Sequence, residues 1–242
     1  MFEAILFDLD GTLLPLEIDK FLSGYLQALA SKVRLDPVAF SGKLLSSTQK
    51  MIESDGSRTN REVFDADFFP GLSRDRRELE RLIDEFYRED FPKLKAGLTP
   101  NPAAREAVSA AFACTERVVV ATNPVFPRSA ILERMRWAGI ADFPYALITS
   151  YENMHWAKPN LHYYLEIARQ LGVSPQETLM VGNDVQEDLV SAKVGMKTFL
   201  VDEMLIHRSG DAIFSHWRGS MAQCAEFLRK MSKEGRVHYG CN

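Results

Sequence analysis

The 242-residue sequence contains few features of secreted, membrane-spanning or disulfide-stabilised proteins. Its three cysteines, Cys114, Cys224 and Cys241, show no paired spacing and are too few for a disulfide framework. Its longest apolar runs are far shorter than the roughly 20 residues that a membrane-spanning helix needs. Because Met1 leads directly into a predicted core strand, no cleavable signal is expected, and we predict a cytoplasmic protein.

Charge and motif content exclude further classes of function. The formal net charge of −4 gives no general attraction to nucleic acid or to an anionic membrane, so we expect neither as a partner. The five histidines are scattered, and His155 and His162 lack a set of metal-ligating neighbours. No G-x-G-x-x-G follows a predicted strand and no G-x-x-x-x-G-K-[ST] is present, which argues against a dinucleotide site and a P-loop.

A pair of aspartates follows the first apolar run. Phe2–Phe7 is typical of a buried strand, and Asp8-Leu9-Asp10-Gly11-Thr12 comes directly after it. If the strand continued, Asp8 and Asp10 would point the same way, and like charges so close raise each other's pKa unless a cation lies between them. Mg²⁺ suits such oxygen ligands and a substrate phosphate, and Gly11 permits a tight turn that presents N–H groups to an anion. A polar strand end is the alternative interpretation.

D-x-D-G-T after an N-terminal apolar strand resembles the signature of the haloacid dehalogenase superfamily. That superfamily carries three further motifs in a fixed order, and the sequence offers a candidate for each of them.

The second and third motifs supply a hydroxyl and a lysine. Arg117–Thr122 is a predicted buried strand, and Thr122 at its carboxyl end can donate to a phosphate oxygen while Asn123 adds an amide. Lys158 precedes a helix predicted over 159–171, with Pro159 in its first turn. A lysine beside the positive end of a helix is unfavourable unless an anion such as phosphate or Asp8 lies there.

The fourth motif supplies acidic residues after another predicted strand, Thr178–Gly182. Asp184 and Asp188 are one helical turn apart, so they share a face. In the commonest form of this motif an aspartate follows the glycine at once, whereas here Asn183 intervenes. Either Asn183 or Asp184 can therefore take the first acidic position, and the spacing to Asp188 favours Asp184.

Alternating strand and helix patterns predict an α/β fold. The strands are expected near 3–7, 117–122, 145–148, 178–182 and 197–201, with a weaker one at 212–214. Helices are expected near 101–112, 126–138, 159–171, 185–194 and 220–232. This order predicts a doubly wound, mostly parallel, Rossmann-like sheet with helices on both faces. Asp8, Thr122 and Asp184 all fall at the carboxyl ends of strands, where such sheets bind ligands.

The stretch 15–96 breaks this alternation and predicts helices near 17–33, 37–54, 59–66 and 74–90. It resembles the α-helical cap of the superfamily, which implies a catalytic core of 1–14 and 97–242 with the cap of 15–96 inserted after the first motif. Such a cap closes over the site and selects the leaving group. Lys43 and Lys50 share a predicted helix face, which fits either a contact with a second substrate anion or a solvated face. Phe64, Phe68 and Phe69 are interpreted as cap core.

The resemblance implies a role for each of these residues. Asp8 is the nucleophile that forms an aspartyl-phosphate, and Asp10 is the general acid and base. Mg²⁺ is held by Asp8, the backbone carbonyl of Asp10 and Asp184, and Asp188 supports Lys158. The predicted phosphate-binding groups are Thr122, Asn123, Lys158 and the backbone N–H groups around Leu9 and Gly11.

The expected activity is Mg²⁺-dependent hydrolysis of a small phosphorylated metabolite by a monomer or homodimer. A phosphomutase shares every one of these motifs, and a non-catalytic binding protein on the same scaffold is a third class. Dehalogenation in this superfamily uses the first aspartate without an acid–base partner or a metal, so Asp10 and Asp184 argue against it.

Overall fold

A six-stranded parallel sheet forms the centre of the molecule, as seen in a computed structural model that describes residues 2–95 and 97–239. Its strand order is β3-β2-β1-β4-β5-β6. The strands are β1 (Ala4–Phe7), β2 (Val118–Val120), β3 (Leu147–Ile148), β4 (Thr178–Gly182), β5 (Lys197–Val201) and β6 (Trp217–Gly219). The predicted α/β, doubly wound, parallel Rossmann-like sheet is confirmed. Met1 and Cys241, used in the predictions above, lie outside the described residues.

Burial explains why the central strands are continuous apolar runs. All residues of β1 and β2 are buried, because helices cover both faces of the sheet. β1 pairs with β2 on one side and with β4 on the other, so the chain reverses direction across the sheet at β1. Such a switch point opens a crevice at the carboxyl ends of the strands.

The prediction of a sixth strand at 212–214 was wrong. That segment is irregular and its Phe214 side chain is 65% exposed, while the strand forms at Trp217–Gly219 beside β5. Two of the three residues in β6 are exposed, so this edge strand has no apolar run to mark it. Trp217 nevertheless packs edge-on against Phe2 and lies beside Phe227.

Among the described residues beyond position 100, four α-helices flank the sheet: α5 (Pro102–Phe112), α6 (Arg128–Trp137), α7 (Leu161–Leu171) and α8 (Met221–Tyr239). Two predictions need correction. The segment 185–194 is a turn over 185–188 followed by a 3-10 helix over Leu189–Val194, which ends at Gly195 in the left-handed region. Pro159 precedes α7 rather than opening it, since the Asn160 side chain accepts from the His162 N–H and caps the helix there.

Between β1 and β2 the chain is helical, as predicted. The helices are α1 (Ile18–Val33), α2 (Pro37–Ile52), α3 (Asn60–Phe68) and α4 (Arg76–Glu85), and α4 continues as a π-helix over Phe86–Asp90 and a 3-10 helix over Phe91–Lys95. Asp36 caps α2 by accepting from the Ala39 N–H, and Thr59 with Glu62 forms a capping box on α3.

The helices of 15–96 and the sheet share one apolar cluster. Phe91 stacks on Trp137 of α6, and Phe21 of α1 meets both rings edge-on. Phe68 is buried within the same cluster. The division into a core of 1–14 and 97–242 and a cap of 15–96 stays a prediction. No helix within the described residues is long and apolar enough to cross a membrane.

Candidate active site

The four motifs meet in a cleft of about 160 Å³ at the carboxyl ends of β1, β2 and β4. The sequence-predicted residues that line it are Asp8, Asp10, Thr122, Asn123, Asn183, Asp184 and Asp188. Lys158 lies directly behind Asp8. Residues up to 180 positions apart in the chain are thus brought together because each follows a strand of one parallel sheet.

Lys158 joins the first and fourth motifs. Its Nζ donates to Oδ1 of Asp8 at 2.8 Å and to Oδ1 of Asp188 at 2.6 Å, and only 1% of the residue is exposed. Burial alone would lower the pKa of Lys158, but the charges of Asp188 and Asp8 outweigh it and raise this pKa well above its usual value. The lysine is therefore a permanent cation beside the predicted nucleophile.

Asp188 holds Lys158 and also fixes the loop after β4. Its Oδ2 accepts the Asp184 N–H at 3.0 Å, while Oδ1 binds the lysine. Gly182 is required for this approach, because a Cβ at that position would lie 2.1 Å from Oδ2 of Asp188. The glycine of the fourth motif thus leaves the space that the Asp188 carboxylate, six residues later, occupies.

Gly11 forms the turn that directly follows Asp8 and Asp10. Its φ of 79° lies in the left-handed region, and a Cβ there would meet the Asn183 amide nitrogen at 2.4 Å. The Gly11 N–H donates to the Leu14 carbonyl at 2.7 Å, so a phosphate contact from this N–H, which stays a prediction, would compete with the turn. Among the described residues, the N–H groups of Leu9 and Asp10 have no protein acceptor.

The side chain of Asn183 is engaged in structure rather than directed at a ligand. Its Oδ1 lies 2.8 Å from the Thr12 hydroxyl, and its Nδ2 donates to the Met204 carbonyl. The same Thr12 hydroxyl lies 3.1 Å from Oδ2 of Asp8 and donates to one of the two acceptors at a time. The hydrogen bond between Thr12 and Asn183 therefore connects the first motif to the fourth.

Asp184 faces the cleft with a partner that the sequence did not reveal. Its Oδ1 accepts the N–H groups of Gln186 and Glu187 at 2.9 Å, which fixes the carboxylate. Its Oδ2 lies 2.6 Å from Nη1 of Arg208. Arg208 comes from an irregular segment after β5, where neither periodicity nor a motif marks it.

Arg134 of α6 is a second residue that sequence reasoning missed. It forms an ion pair with Oδ2 of Asp10 and is almost completely buried, with its guanidinium over the Phe126 ring. Burial raises the pKa of Asp10 above its usual value, the Asp8 charge raises it further, and Arg134 opposes both. The available signal was an arginine three and four residues after the apolar Ile131 and Ala130, on the buried face of the helix.

Thr122 and Asn123 lie at the end of β2. The Thr122 carbonyl accepts the Thr149 hydroxyl at 2.8 Å and the Tyr163 hydroxyl at 2.9 Å, which fixes the backbone. The Asn123 Nδ2 donates to Oε2 of Glu187 at 3.2 Å. Its predicted phosphate contact therefore competes with that carboxylate.

Oxygen atoms dominate the predicted metal site. Within the part of the chain that the structure describes, no three His, Cys, Asp or Glu side chains are grouped to hold a metal. The predicted set is different, because its third protein ligand is the Asp10 backbone carbonyl. Asp8 and Asp184 border one cleft, and Oδ1 of Asp10 is buried there without a hydrogen-bond partner among the described residues. Two carboxylates and a carbonyl are hard ligands that fit Mg²⁺.

Lys43 and Lys50 do not reach the cleft. They share a face of α2, as predicted, but Lys43 Nζ donates to Oδ2 of Asp67 at 2.7 Å and Lys50 lies 3.6 Å from Oδ1 of the same carboxylate. The Ser47 hydroxyl also donates to Asp67. The contacts of these lysines therefore favour the structural, solvated-face interpretation over a substrate contact.

The chain resembles known proteins in its sequence. The family described as haloacid dehalogenase-like hydrolase matches residues 2–195. The N-acetylmuramic acid 6-phosphate phosphatase of Pseudomonas aeruginosa is 29% identical over 218 residues, which cover 89% of this chain and 87% of that protein.

Solved structures give the same fold. A HAD phosphatase from Thermococcus onnurineus has a TM-score of 0.55 at 20% identity, covering 93% of this chain and 97% of that one. An L-2-haloacid dehalogenase from Xanthobacter autotrophicus has a TM-score of 0.57 at 16% identity, covering 96% and 100%. Because one neighbour is a phosphatase and the other a dehalogenase, the fold alone does not choose between the two reactions.

Proposed function

The chain belongs to the haloacid dehalogenase-like hydrolase family, and from that premise we propose that it is a Mg²⁺-dependent phosphatase acting on a small phosphorylated metabolite. The observation that carries the proposal is the buried Lys158 between Asp8 and Asp188, with Asp10 bordering the same cleft. A lysine fixed against a carboxylate at the edge of a cleft suits an anionic substrate and an anionic transition state. The proposed location is the cytoplasm, where the few unpaired cysteines suit a reducing compartment.

In the first step of the proposed mechanism, a carboxylate oxygen of Asp8 attacks phosphorus as the bond from phosphorus to the leaving alcohol breaks. Asp10 gives its proton to the departing alkoxide oxygen. Burial and the charge of Asp8 raise the pKa of Asp10 above its usual value, which favours this donation relative to an exposed aspartate. Lys158, Thr122 and the N–H groups of Leu9 and Asp10 bind the phosphoryl oxygens.

In the second step Asp10, now a carboxylate, takes a proton from a water molecule that attacks phosphorus. The bond between phosphorus and Asp8 breaks, which releases inorganic phosphate and restores the Asp8 carboxylate. Asp8, the Asp10 carbonyl and Asp184 would hold the Mg²⁺, which when bound neutralises charge on the phosphoryl oxygens. Asp188 keeps Lys158 in place through both steps.

Two observations argue for a phosphatase rather than a dehalogenase. Asp10 stands two residues after the proposed nucleophile and borders the cleft, which suits proton exchange with a leaving alcohol. Asp184 lines the same cleft as Asp8 and would supply a hard ligand that dehalogenation does not use. A phosphomutase remains the alternative on the same residues, and a sugar phosphate assay that detects isomerised product distinguishes it.

The test is release of inorganic phosphate from a panel of phosphate monoesters, with and without Mg²⁺. The panel includes N-acetylmuramic acid 6-phosphate because a relative is named as a phosphatase of this compound. Wild-type protein should release phosphate only with Mg²⁺, and Asp8→Asn should release none while keeping its melting temperature within a few degrees. The surface variant Asp202→Asn serves as the matched control. Substantial turnover by folded Asp8→Asn would contradict the proposal.

A further inference from the structure

A second, larger cavity adjoins the cleft. It has a volume of about 430 Å³ and lies between the helices α1 to α4 on one side and the loop 125–127 on the other. Ile18, Val125, Phe126 and Glu187 line both the cavity and the cleft, so the two spaces share a wall. A group joined to a phosphate in the cleft can therefore extend past these residues into the cavity.

The wall of this cavity is apolar and aromatic. Leucine, isoleucine and phenylalanine side chains from α1, α2 and α3 supply eight of its eighteen lining residues, and Tyr25, Tyr87 and Tyr151 supply three more. The Tyr25 and Tyr87 hydroxyl oxygens are 2.7 Å apart, so one hydroxyl donates a hydrogen bond to the other. Burial raises the pKa of Tyr25 to about 12, so this phenol is neutral at physiological pH.

Among the described residues that line the cavity, none is a lysine, arginine or histidine, and the two charged ones are both acidic. Asp19 lies on the α1 side and Glu187 at the junction with the cleft. Lys43 and Lys50, the candidates that the sequence offers for an anion contact, face Asp67 instead. A second negative charge on a substrate would thus meet apolar surface and like charge, both of which are unfavourable.

We propose that this cavity binds the leaving group and that the preferred substrate is a phosphate monoester of an extended, uncharged, apolar alcohol. The inference rests on the proposed phosphatase function and adds the substrate class to it. The volume falls within the 300–1,000 Å³ typical of small-molecule sites. Continuity with the cleft, rather than apolarity alone, distinguishes the cavity from an ordinary gap between helices.

The first test is a chain-length series from ethyl to octyl phosphate. Each methylene moved from water into the cavity should raise kcat/KM by about fourfold until the cavity is filled. A matched pair, hexyl phosphate and 6-(phosphonooxy)hexanoate, tests charge at constant length. The carboxylate form should be on the order of tenfold worse or more, because it places an anion beside Asp19 and apolar side chains.

The second test fills the cavity from α2. Thr48 lines it and Ser46, two residues away, is exposed on another face of the same helix. Thr48→Phe should remove the gain between ethyl and octyl phosphate and leave ethyl phosphate hydrolysis within about twofold of wild type. Ser46→Phe, the matched control, should keep the wild-type series. Leu22→Ala, which enlarges the cavity from α1, should move the optimum to a longer chain.

The outcomes separate the two proposals. A flat chain-length series with Mg²⁺-dependent, Asp8-dependent turnover would overturn the apolar substrate class and leave the phosphatase intact. Preference for the carboxylate member of the matched pair would overturn it in the same way. Absence of turnover on every phosphate ester, including the panel above, would overturn both.

Discussion

The cleft and the adjoining cavity share a wall but differ in volume and in the side chains that they contain. The cleft holds carboxylates, a hydroxyl and a neighbouring buried lysine at the ends of three strands, in about 160 Å³. The cavity holds apolar and aromatic side chains from four helices, in about 430 Å³. Charged groups fixed by a rigid sheet suit chemistry on phosphorus, and an apolar space bounded by helices suits selection of what is attached to it. Changes in the cleft should therefore alter turnover of every substrate, and changes in the cavity should alter preference.

After Asp8→Asn, which should abolish turnover, the largest effect is expected for Lys158→Met. The substitution removes the cation between Asp8 and Asp188 and leaves two like charges close together, so kcat should fall on the order of 10³-fold for ethyl and octyl phosphate alike. Breaking this buried pair should also lower the free energy of unfolding by about 3–5 kcal/mol. Steady-state kinetics and urea unfolding measure the two effects.

The double variant Lys158→Met/Asp188→Asn is the control for stability. It removes one of the two unpaired charges and should regain part of the lost unfolding free energy without regaining turnover. Near-normal turnover in a folded Lys158→Met protein would place the chemistry elsewhere.

Asp184→Ala should act through Mg²⁺. Half-maximal activity should require about 10–100-fold more Mg²⁺, and this change should exceed the loss of thermal stability measured without metal. Asn183→Ala is the matched comparison: because Asn183 holds Thr12 and Met204, it should lower thermal stability more than it changes the Mg²⁺ requirement. The reverse pattern would move the metal ligand to Asn183.

Arg134→Met tests how Asp10 is held. The substitution removes its ion-pair partner and leaves a buried carboxyl group unsupported, so kcat should fall about tenfold with little change in KM for any chain length. Unfolding measurements on Arg134→Met, Asp10→Asn and the double variant give the coupling between the two residues. Additive losses would mean that the pair does not act as a unit.

The smallest effect is expected for Lys43→Ala/Lys50→Ala. Since both lysines contact Asp67 and neither lines the cleft or the cavity, kcat/KM should stay within about twofold for hexyl phosphate and for its carboxylate counterpart. A selective loss on the carboxylate substrate would restore the second-anion interpretation and count against an apolar cavity.

The two spaces also differ in how far the sequence revealed them. Asp8, Thr122, Lys158 and Asp184 could be found because each is a polar residue beside a buried strand or a helix start, where packing does not explain it. The parallel sheet followed from apolar runs such as Val118–Val120, which are rare outside buried strands.

Long-range partners could not be found in this way. Arg134 lies in a helix and Arg208 in an irregular segment, and their ion pairs with Asp10 and Asp184 depend on tertiary structure alone. The cavity was hidden for a related reason: Tyr25, Phe64 and Phe68 follow the same periodicity whether they fill a core or line a space. Edge strand β6 was missed because most of it is exposed.

The most direct test of the covalent mechanism is isolation of the phosphorylated enzyme. Wild-type protein with Mg²⁺ and a ³²P-labelled monoester is quenched in acid within milliseconds, digested, and its labelled peptide sequenced. Label should appear on the peptide that contains Asp8, should decay as inorganic phosphate is released, and should be absent from Asp8→Asn. Phosphate release with no labelled enzyme at any time, or label on a peptide without Asp8, would contradict the mechanism.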